Sequence, residues 1–236
     1  DLDLGEDLSK RNMRMNYHAI NAMLARVYSY AGEKDSAAMY ANMVIDECGL
    51  TLQSGNDNDP ILSKEVIFGL NMYELEDNLS EYFAVGDKMK TKYYLNIPTL
   101  NQIFESVGSE SEDMRAKGTA FYRNNELQYA ISLKYIENDN EVIPLIRLPE
   151  MYYIACEASD GDEAAMYINS VRNKRGISKA KDVQCDTEEM RITALNKEYR
   201  KEFYAEGQYF WFLKTHGITG TLAHSPEVTL VEENFV

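Results

Sequence analysis

One stretch of this chain is written twice. Leu24 to Val44 reads LARVYSYAGEKDSAAMYANMV and Met151 to Val171 reads MYYIACEASDGDEAAMYINSV. Without a gap, eight of the 21 positions are identical: Ala31/Ala158, Asp35/Asp162, Ala37/Ala164, Ala38/Ala165, Met39/Met166, Tyr40/Tyr167, Asn42/Asn169 and Val44/Val171. Each copy has the pattern of a helical hairpin. In the first, Tyr17, Ile20, Leu24, Val27, Tyr28 and Ala31 recur at helical spacing and Gly32 supplies a stop. Asp35 is placed to cap a second helix whose face is Ala37, Ala38, Ala41, Val44 and Ile45. Small residues beside large ones let such hairpins stack closely, as tetratricopeptide-type repeats do. The copies stand 127 residues apart, so the chain is not an uninterrupted solenoid. The pattern predicts a mainly α fold in which two related hairpins, at 11–48 and 148–176, pack together and carry a long insertion. Chance likeness of two Ala-rich helices is the alternative, and it would leave the copies unassociated.

The insertion, 49–147, has a different texture. Glu65 to Leu70, EVIFGL, is a short β-prone run. Leu127, Tyr129, Ile131, Leu133 and Tyr135 alternate with more polar residues, which predicts a half-buried strand. Asn138 to Asn140 offers a turn, after which Val142 to Ile146 is expected to return as its partner. Asn71 to Asn96 and Gly108 to Gly118 read as loops. Past the second hairpin, Gly176 stops the helix and Asp186 with Glu189 resembles a capping box. Ile192, Leu195, Tyr199 and Phe203 then make one stripe of a long helix reaching Glu206-Gly207, followed by the aromatic run Tyr209 to Leu213 with the only Trp. Together these form a unit at 186–214, in which Trp211 is expected to anchor the long helix to the hairpins.

Composition removes several function classes. Lys and Arg number 24 against 39 Asp and Glu, and a net charge of −15 repels phosphate backbones, so nucleic acid is not an expected partner. The longest apolar runs, Met151 to Cys156 and Tyr209 to Leu213, fall far short of the roughly 18–20 residues of a spanning helix. The acidic start, lacking Met, reads as a mature or trimmed end rather than a signal peptide. Cys48, Cys156 and Cys185, odd in number and without C-x-x-C, are read as small buried apolar residues.

Motifs of catalysis are equally scarce. His18, His216 and His224 lack metal-ligand spacing, and there is no G-x-S-x-G, G-x-x-x-x-G-K or G-x-G-x-x-G. Glu198, Glu202 and Glu206 fall at i, i+4 and i+8 of the long helix. Glycosidases instead set two carboxyls across a sugar, usually from separate elements, so these three, interleaved with Arg200 and Lys201, are read as ion-paired structural charges. The Asx-rich stretches Asn56 to Asp59 and Asn138 to Asn140 invite a calcium reading, but Pro60 breaks the EF-hand pattern and no bidentate Glu follows; turn chemistry explains both, and no cofactor is expected. What remains is aromatic surface. Among 17 Tyr and eight Phe, Tyr17, Tyr28, Tyr40, Tyr167 and Tyr199 lie on helix faces and read as core. Tyr73, Tyr82, Phe83, Tyr93 and Tyr94 fall in the loop-like stretch after EVIF, where binding groups concentrate.

Five segments in order resemble the SusD/RagB family, surface glycan-binding lipoproteins that partner TonB-dependent transporters of Gram-negative bacteria. They are Ala22 to Gly32 (AMLARVYSYAG); Glu65 to Phe68 (EVIF); Asp113-Met-Arg115 with Lys134-Tyr135; Arg147 to Ala158 (RLPEMYYIACEA) ahead of VRNKRGI; and Glu198 to Thr215 (EYRKEFYAEGQYFWFLKT). In the last, Glu198, Glu202, Glu206, Gly207, Leu213 and Lys214 keep the family's places, whereas Phe210 and Trp211 stand in reversed order, Phe212 replaces an Asp and Thr215 an Arg. Only the family's later half is represented, without the portion that bears the lipobox Cys and first repeats, so the chain is expected to be a fragment or a short member.

The resemblance implies one SusD-like domain over 1–236 and a non-enzymatic role: capture of oligosaccharide or polysaccharide at the outer membrane's outer face, lipid-anchored through an N-terminal Cys not present in this chain, with delivery to a SusC-like TonB-dependent transporter docked on the helical hairpins. Family ligands sit in variable loops, so Tyr73, Tyr82, Phe83, Tyr93 and Tyr94, with Asn71, Asn78 and Asn96 as hydrogen-bonding neighbours, are the expected glycan contacts. The rival expectation is a helical-repeat scaffold whose cargo is peptide or protein.

Overall fold

Helix α1 (Tyr17–Ala31) begins where the Asn16 side chain accepts a hydrogen bond from the Ala19 amide at 3.0 Å, satisfying one of the N–H groups a helix start leaves unpaired. It ends at Gly32, whose φ of 77° lies in the left-handed region and whose N–H bonds back to Ser29 and Tyr28. Helix α2 (Lys34–Glu47) returns alongside. Its N-cap is Glu33, without a side-chain bond; Asp35, expected as the cap, instead lies in the first turn, where a carboxylate faces the positive helix end. The computed structural model describes residues 11–54, 59–85, 91–106, 111–118, 120–136, 141–222 and 225–235.

The other helices are α3 (Leu75–Leu79), α4 (Ile97–Ile103), α5 (Leu148–Ala158), α6 (Gly161–Lys174), α7 (Glu188–Glu202) and α8 (Gln208–Thr215). Helices α5 and α6 form the second hairpin, and α2 packs against α5, so the two written copies meet in space. Their shared core holds Ala19, Ala22 and Ala25 of α1, Ala37, Ala41 and Val44 of α2, Met151, Ile154 and Ala155 of α5, and Ala164, Ile168 and Val171 of α6. The buried face of α1 is therefore its alanine face. Tyr17, Ile20 and Val27, expected to face the core, are exposed, Val27 by 51%. Small side chains let helix axes come close, and that contact displaces the bulkier stripe to the outside. Polar bonds lock the hairpins together: Arg26 Nε and Nη2 each donate to Glu150 at 2.6 Å, and Tyr167 donates its hydroxyl proton to Asn42 Oδ1 at 2.8 Å.

The insertion folds into short sheets. Strand β1 (Val66–Asn71) pairs antiparallel with β5 (Val142–Arg147), from Val66 opposite Arg147 to Asn71 opposite Val142. Strands β2 (Leu95–Asn96), β3 (Phe121–Asn124) and β4 (Tyr129–Ser132) form a second sheet in the order β2-β4-β3. This corrects two expectations. Val142 to Ile146 pairs with the EVIF strand, not with the Leu127–Tyr135 strand. That strand itself is shorter and buried on both faces: Ala130 packs with Leu100, Ile103 and Phe121, while Tyr129 and Ile131 pack with Leu133 and Ile136. Small Ala130 fits against Leu100 and Ile103 of α4, and Leu127 is left in solvent.

Helix α7 starts at Thr187, whose hydroxyl accepts from the Met190 amide at 3.2 Å, one residue beyond the expected Asp186 cap. It stops at Glu202. Ala205 and Gly207, at φ 63° and 87°, then turn the chain into α8, so Glu206 sits in the turn and not on the helix. Trp211 anchors only in part: its ring lies 6.3 Å from that of Tyr30 on α1 and is 48% exposed. A hairpin of β6 (Gly220–Leu222) and β7 (Ser225–Leu230) follows. Cys156 and Cys185 are buried free thiols, whereas Cys48 is only half-buried. No helix among the described residues is long and apolar enough to cross a membrane.

Candidate functional site

The insertion is fastened to α7 by a buried lattice of charges. Glu202 accepts from Arg147 Nη1 at 2.7 Å, Arg115 Nη1 at 2.9 Å, Arg175 Nη2 at 2.9 Å and Arg175 Nε at 3.0 Å. Glu198 accepts from Arg172 at 2.7 Å, Arg115 at 2.9 Å and Lys201 at 3.2 Å. Glu206 accepts from Arg147 and Lys134, Glu65 from Arg175, and Asp113 from Arg115. Burial alone would push the Glu198 carboxyl up, yet Arg115, Lys201 and Arg172 hold it down at about 2. Burial likewise opposes the Glu202 charge, and Arg175, Arg147 and Arg115 override it, keeping that carboxyl well below its ordinary range. Ion pairing of the three glutamates was legible in the sequence, but most partners were not those on the same helix. Only Lys201 joins; Arg200 lies over the Tyr209 ring at 5.8 Å.

This geometry does not suit acid–base work on a sugar. The Glu198 and Glu202 carboxylates are held ionised by the cations around them, and the cavity beside Glu202, Arg115, Lys134 and Arg147 measures about 30 Å³, room for a water molecule.

The same lattice positions the aromatic loop. Beyond β4, the Lys134 ammonium donates to the Glu202 carbonyl at 2.9 Å and the Tyr135 hydroxyl to the Ala205 carbonyl at 2.9 Å, pinning this segment against the α7–α8 turn. The Tyr135 ring supports Phe83 at 6.2 Å, and Phe83 meets Tyr93 at 5.7 Å. Tyr93 stacks on Tyr82, 5.7 Å apart and 15° from parallel. Backbone bonds close this clamp: the Tyr82 carbonyl accepts from the Tyr93 amide at 2.9 Å, the Lys92 amide at 3.2 Å and the Thr91 hydroxyl at 2.9 Å. The Lys92 ammonium sits 4.8 Å above the Tyr82 ring and pairs with Glu81.

Of the eight expected contact residues, Tyr82, Phe83 and Tyr93 thus come together. Tyr94 points to the other side of the segment, edge-on to Tyr129 at 6.2 Å, with Tyr122 on the same ring. Tyr73 stands apart at the start of α3 and is 75% exposed; Tyr93 is 57% and Tyr94 43% exposed. The Asn71 and Asn78 amides are engaged locally, Asn78 donating to the Tyr73 and Glu74 carbonyls and Asn71 to that of Glu141. Asn96 is exposed at the N-cap of α4, without a side-chain cap bond. Tyr135, Tyr122 and Lys92 were not singled out as site residues. Tyr135 was expected on a half-buried strand; it is buried but lies in a turn beyond β4, and no local signal tells that its ring meets Phe83.

Of the two Asx-rich stretches, Asp59 is described, and its carboxylate accepts from the Ser63 amide and hydroxyl at 2.7 Å each. Asn56 to Asn58 and Asn138 to Asn140 lie outside the described residues. Among the described residues, no group of three or more His, Cys, Asp or Glu is arranged to hold a metal.

Stacked tetratricopeptide-like hairpins, a loop-rich insertion and a long charged helix define a mainly α repeat scaffold. The chain belongs to the SusD family, whose model matches residues 27–214. No curated protein matches it in sequence. Similar solved structures include a SusD superfamily protein from Bacteroides thetaiotaomicron, 23% identical with a TM-score of 0.66 over 88% of this chain and 51% of that one. Another is a SusD-like carbohydrate binding protein from Bacteroides vulgatus, 18% identical, TM-score 0.65, covering 90% and 47%. A third is a laminarin binding SusD-like protein, 17% identical, TM-score 0.60, covering 89% and 57%. This chain therefore spans about half the length of the structures it matches, and at these identities the likeness establishes the fold.

Proposed function

We propose that this chain binds an oligosaccharide or polysaccharide at the cell surface, without altering it, and passes it to a TonB-dependent outer-membrane transporter. The observation that carries this reading is the Tyr82–Phe83–Tyr93 clamp, in a loop that also exposes Tyr73 and Tyr94, in a chain of the SusD family. A tyrosine offers a flat face to sugar C–H groups and a hydroxyl that both donates and accepts. Supporting it, two structural relatives carry descriptions as carbohydrate- and laminarin-binding. In support of binding without catalysis, Glu198, Glu202 and Glu206 are engaged with buried cations. For the transporter, the reading assigns the outer face of the first hairpin, where Ile20, Val27 and Tyr30 stand exposed next to Trp211.

The test is calorimetric titration of the chain with a panel of soluble polysaccharides, beside the Tyr93→Ala variant. Saccharide binding that weakens in the variant supports the reading. Binding of peptides with no saccharide bound would replace it with the peptide-cargo alternative.

A further inference from the structure

The glycan reading leaves open what kind of sugar the tyrosine loop admits, and the charges around the rings bear on it. Glu74, Glu76 and Asp77 project into solvent on and before α3, between Tyr73 and Tyr82. Glu141 is tied to the same segment, its carboxylate accepting from the Glu74 amide at 3.1 Å and its carbonyl from the Met72 amide at 2.8 Å. Among the described residues of the loop the base is Lys92, and it is already paired with Glu81. Over the whole tract 71–96 the sequence holds five acids (Glu74, Glu76, Asp77, Glu81, Asp87) against three lysines (Lys88, Lys90, Lys92) and no arginine.

Recognition of a carboxylated or sulfated sugar calls for the opposite arrangement, since guanidinium groups match such anions with paired hydrogen bonds. Five arginines of the fold are committed elsewhere. Arg115, Arg147, Arg172 and Arg175 are buried in the lattice under α7, and Arg123 donates to the Ala116 carbonyl at 2.7 Å. Along the described chain, exposed Glu74, Glu76 and Asp77 thus lie between Tyr73 and Tyr82, the loop's one described lysine is paired with Glu81, and Arg115, Arg147, Arg172 and Arg175 face the interior.

Resting on the glycan reading, we infer that the loop is selective for uncharged glycans and that Glu74, Glu76 and Asp77 exclude uronate-bearing and sulfated ones. Stacking on tyrosine does not depend on ionic strength, whereas repulsion between exposed like charges is screened beyond a Debye length of about 10 Å at 0.1 M salt. The two contributions therefore separate in one experiment. Neutral glucans, mannans and xylans are compared with polygalacturonate and alginate by affinity electrophoresis and calorimetry, at low and high salt. The wild-type chain is run beside a Glu74→Gln, Glu76→Gln, Asp77→Asn variant.

At low salt the polyuronates are expected to bind at least about tenfold more weakly than the best neutral glycan, with added salt or the triple variant narrowing that gap and neutral binding changing less than about twofold. Polyuronate binding as tight as neutral binding at low salt overturns the inference and leaves the glycan reading standing. So does discrimination unchanged in the triple variant, which would place selectivity elsewhere. If no glycan of either charge binds, the glycan reading itself fails and the selectivity claim falls with it.

Discussion

Glu202 accepts four hydrogen bonds from three arginines that come from distant parts of the chain. Replacing it by Ala leaves Arg115, Arg147 and Arg175 buried with their shared partner gone. A loss of about 3–5 kcal/mol, read from urea unfolding, is expected on the general cost of stranding buried charge. The same lattice sets a pH dependence. Folding lowers the Glu198 carboxyl from 4.5 to about 2 and holds Glu202 well below 4.5. Depressed carboxylates stabilise the fold fully above their unfolded value and lose that contribution as pH falls toward the folded one. Stability is therefore expected to be level in this respect above about pH 5 and to drop by on the order of 3 kcal/mol between roughly pH 4.5 and 2 as Glu198 protonates, with Glu202 acting in the same direction. Unfolding midpoints that stay flat to pH 2 would contradict it. At the aromatic loop, Tyr93→Ala removes a ring stacked on Tyr82, and a loss of about 1 kcal/mol of glycan affinity, roughly fivefold, is expected by calorimetry. Residue spacing made the tyrosines and the pairing of the glutamates legible. It did not reveal that Arg115, Arg147 and Arg175 converge, because such convergence is a property of the closed fold.

Gly176, just past α6, shows how elements depend on one backbone position. Its φ is 86°, and a Cβ there would stand 2.9 Å from the Glu112 carbonyl oxygen, while the neighbouring Arg175 carbonyl accepts from the Met114 amide at 2.8 Å. Gly176→Ala combines left-handed strain with a backbone clash, and about 1–3 kcal/mol of destabilisation is expected in thermal or urea unfolding. The helices were the most legible elements, since the duplicated hairpin, the Gly32 stop and the α7 stripe all carry local periodicity. The strands were less so. The EVIF strand could be read locally, but its pairing with Val142 to Ile146 spans the whole insertion and competes with the adjacent Tyr129 strand, and alternation alone does not decide between them. The exposed face of α1 was misread for a related reason: hydrophobic size marks a stripe, whereas close packing of α1 on α2 selects alanines.

At the scale of the molecule, two like hairpins and a charged lattice hold out an acidic, tyrosine-bearing loop, and the proposed function gives the two faces separable roles. Val27→Glu and Tyr30→Glu on α1 are expected to leave glycan affinity unchanged and to abolish co-purification with a TonB-dependent transporter produced together with this chain. A transporter complex that survives both changes would move the docking face elsewhere. The loop's part in binding can be mapped by hydrogen–deuterium exchange on the chain with and without a saturating neutral oligosaccharide. The account predicts that protection concentrates at 71–85 and 91–96. Protection confined instead to the roughly 450 Å³ cleft lined by Glu105, Lys197, Arg200 and Tyr209 would contradict it.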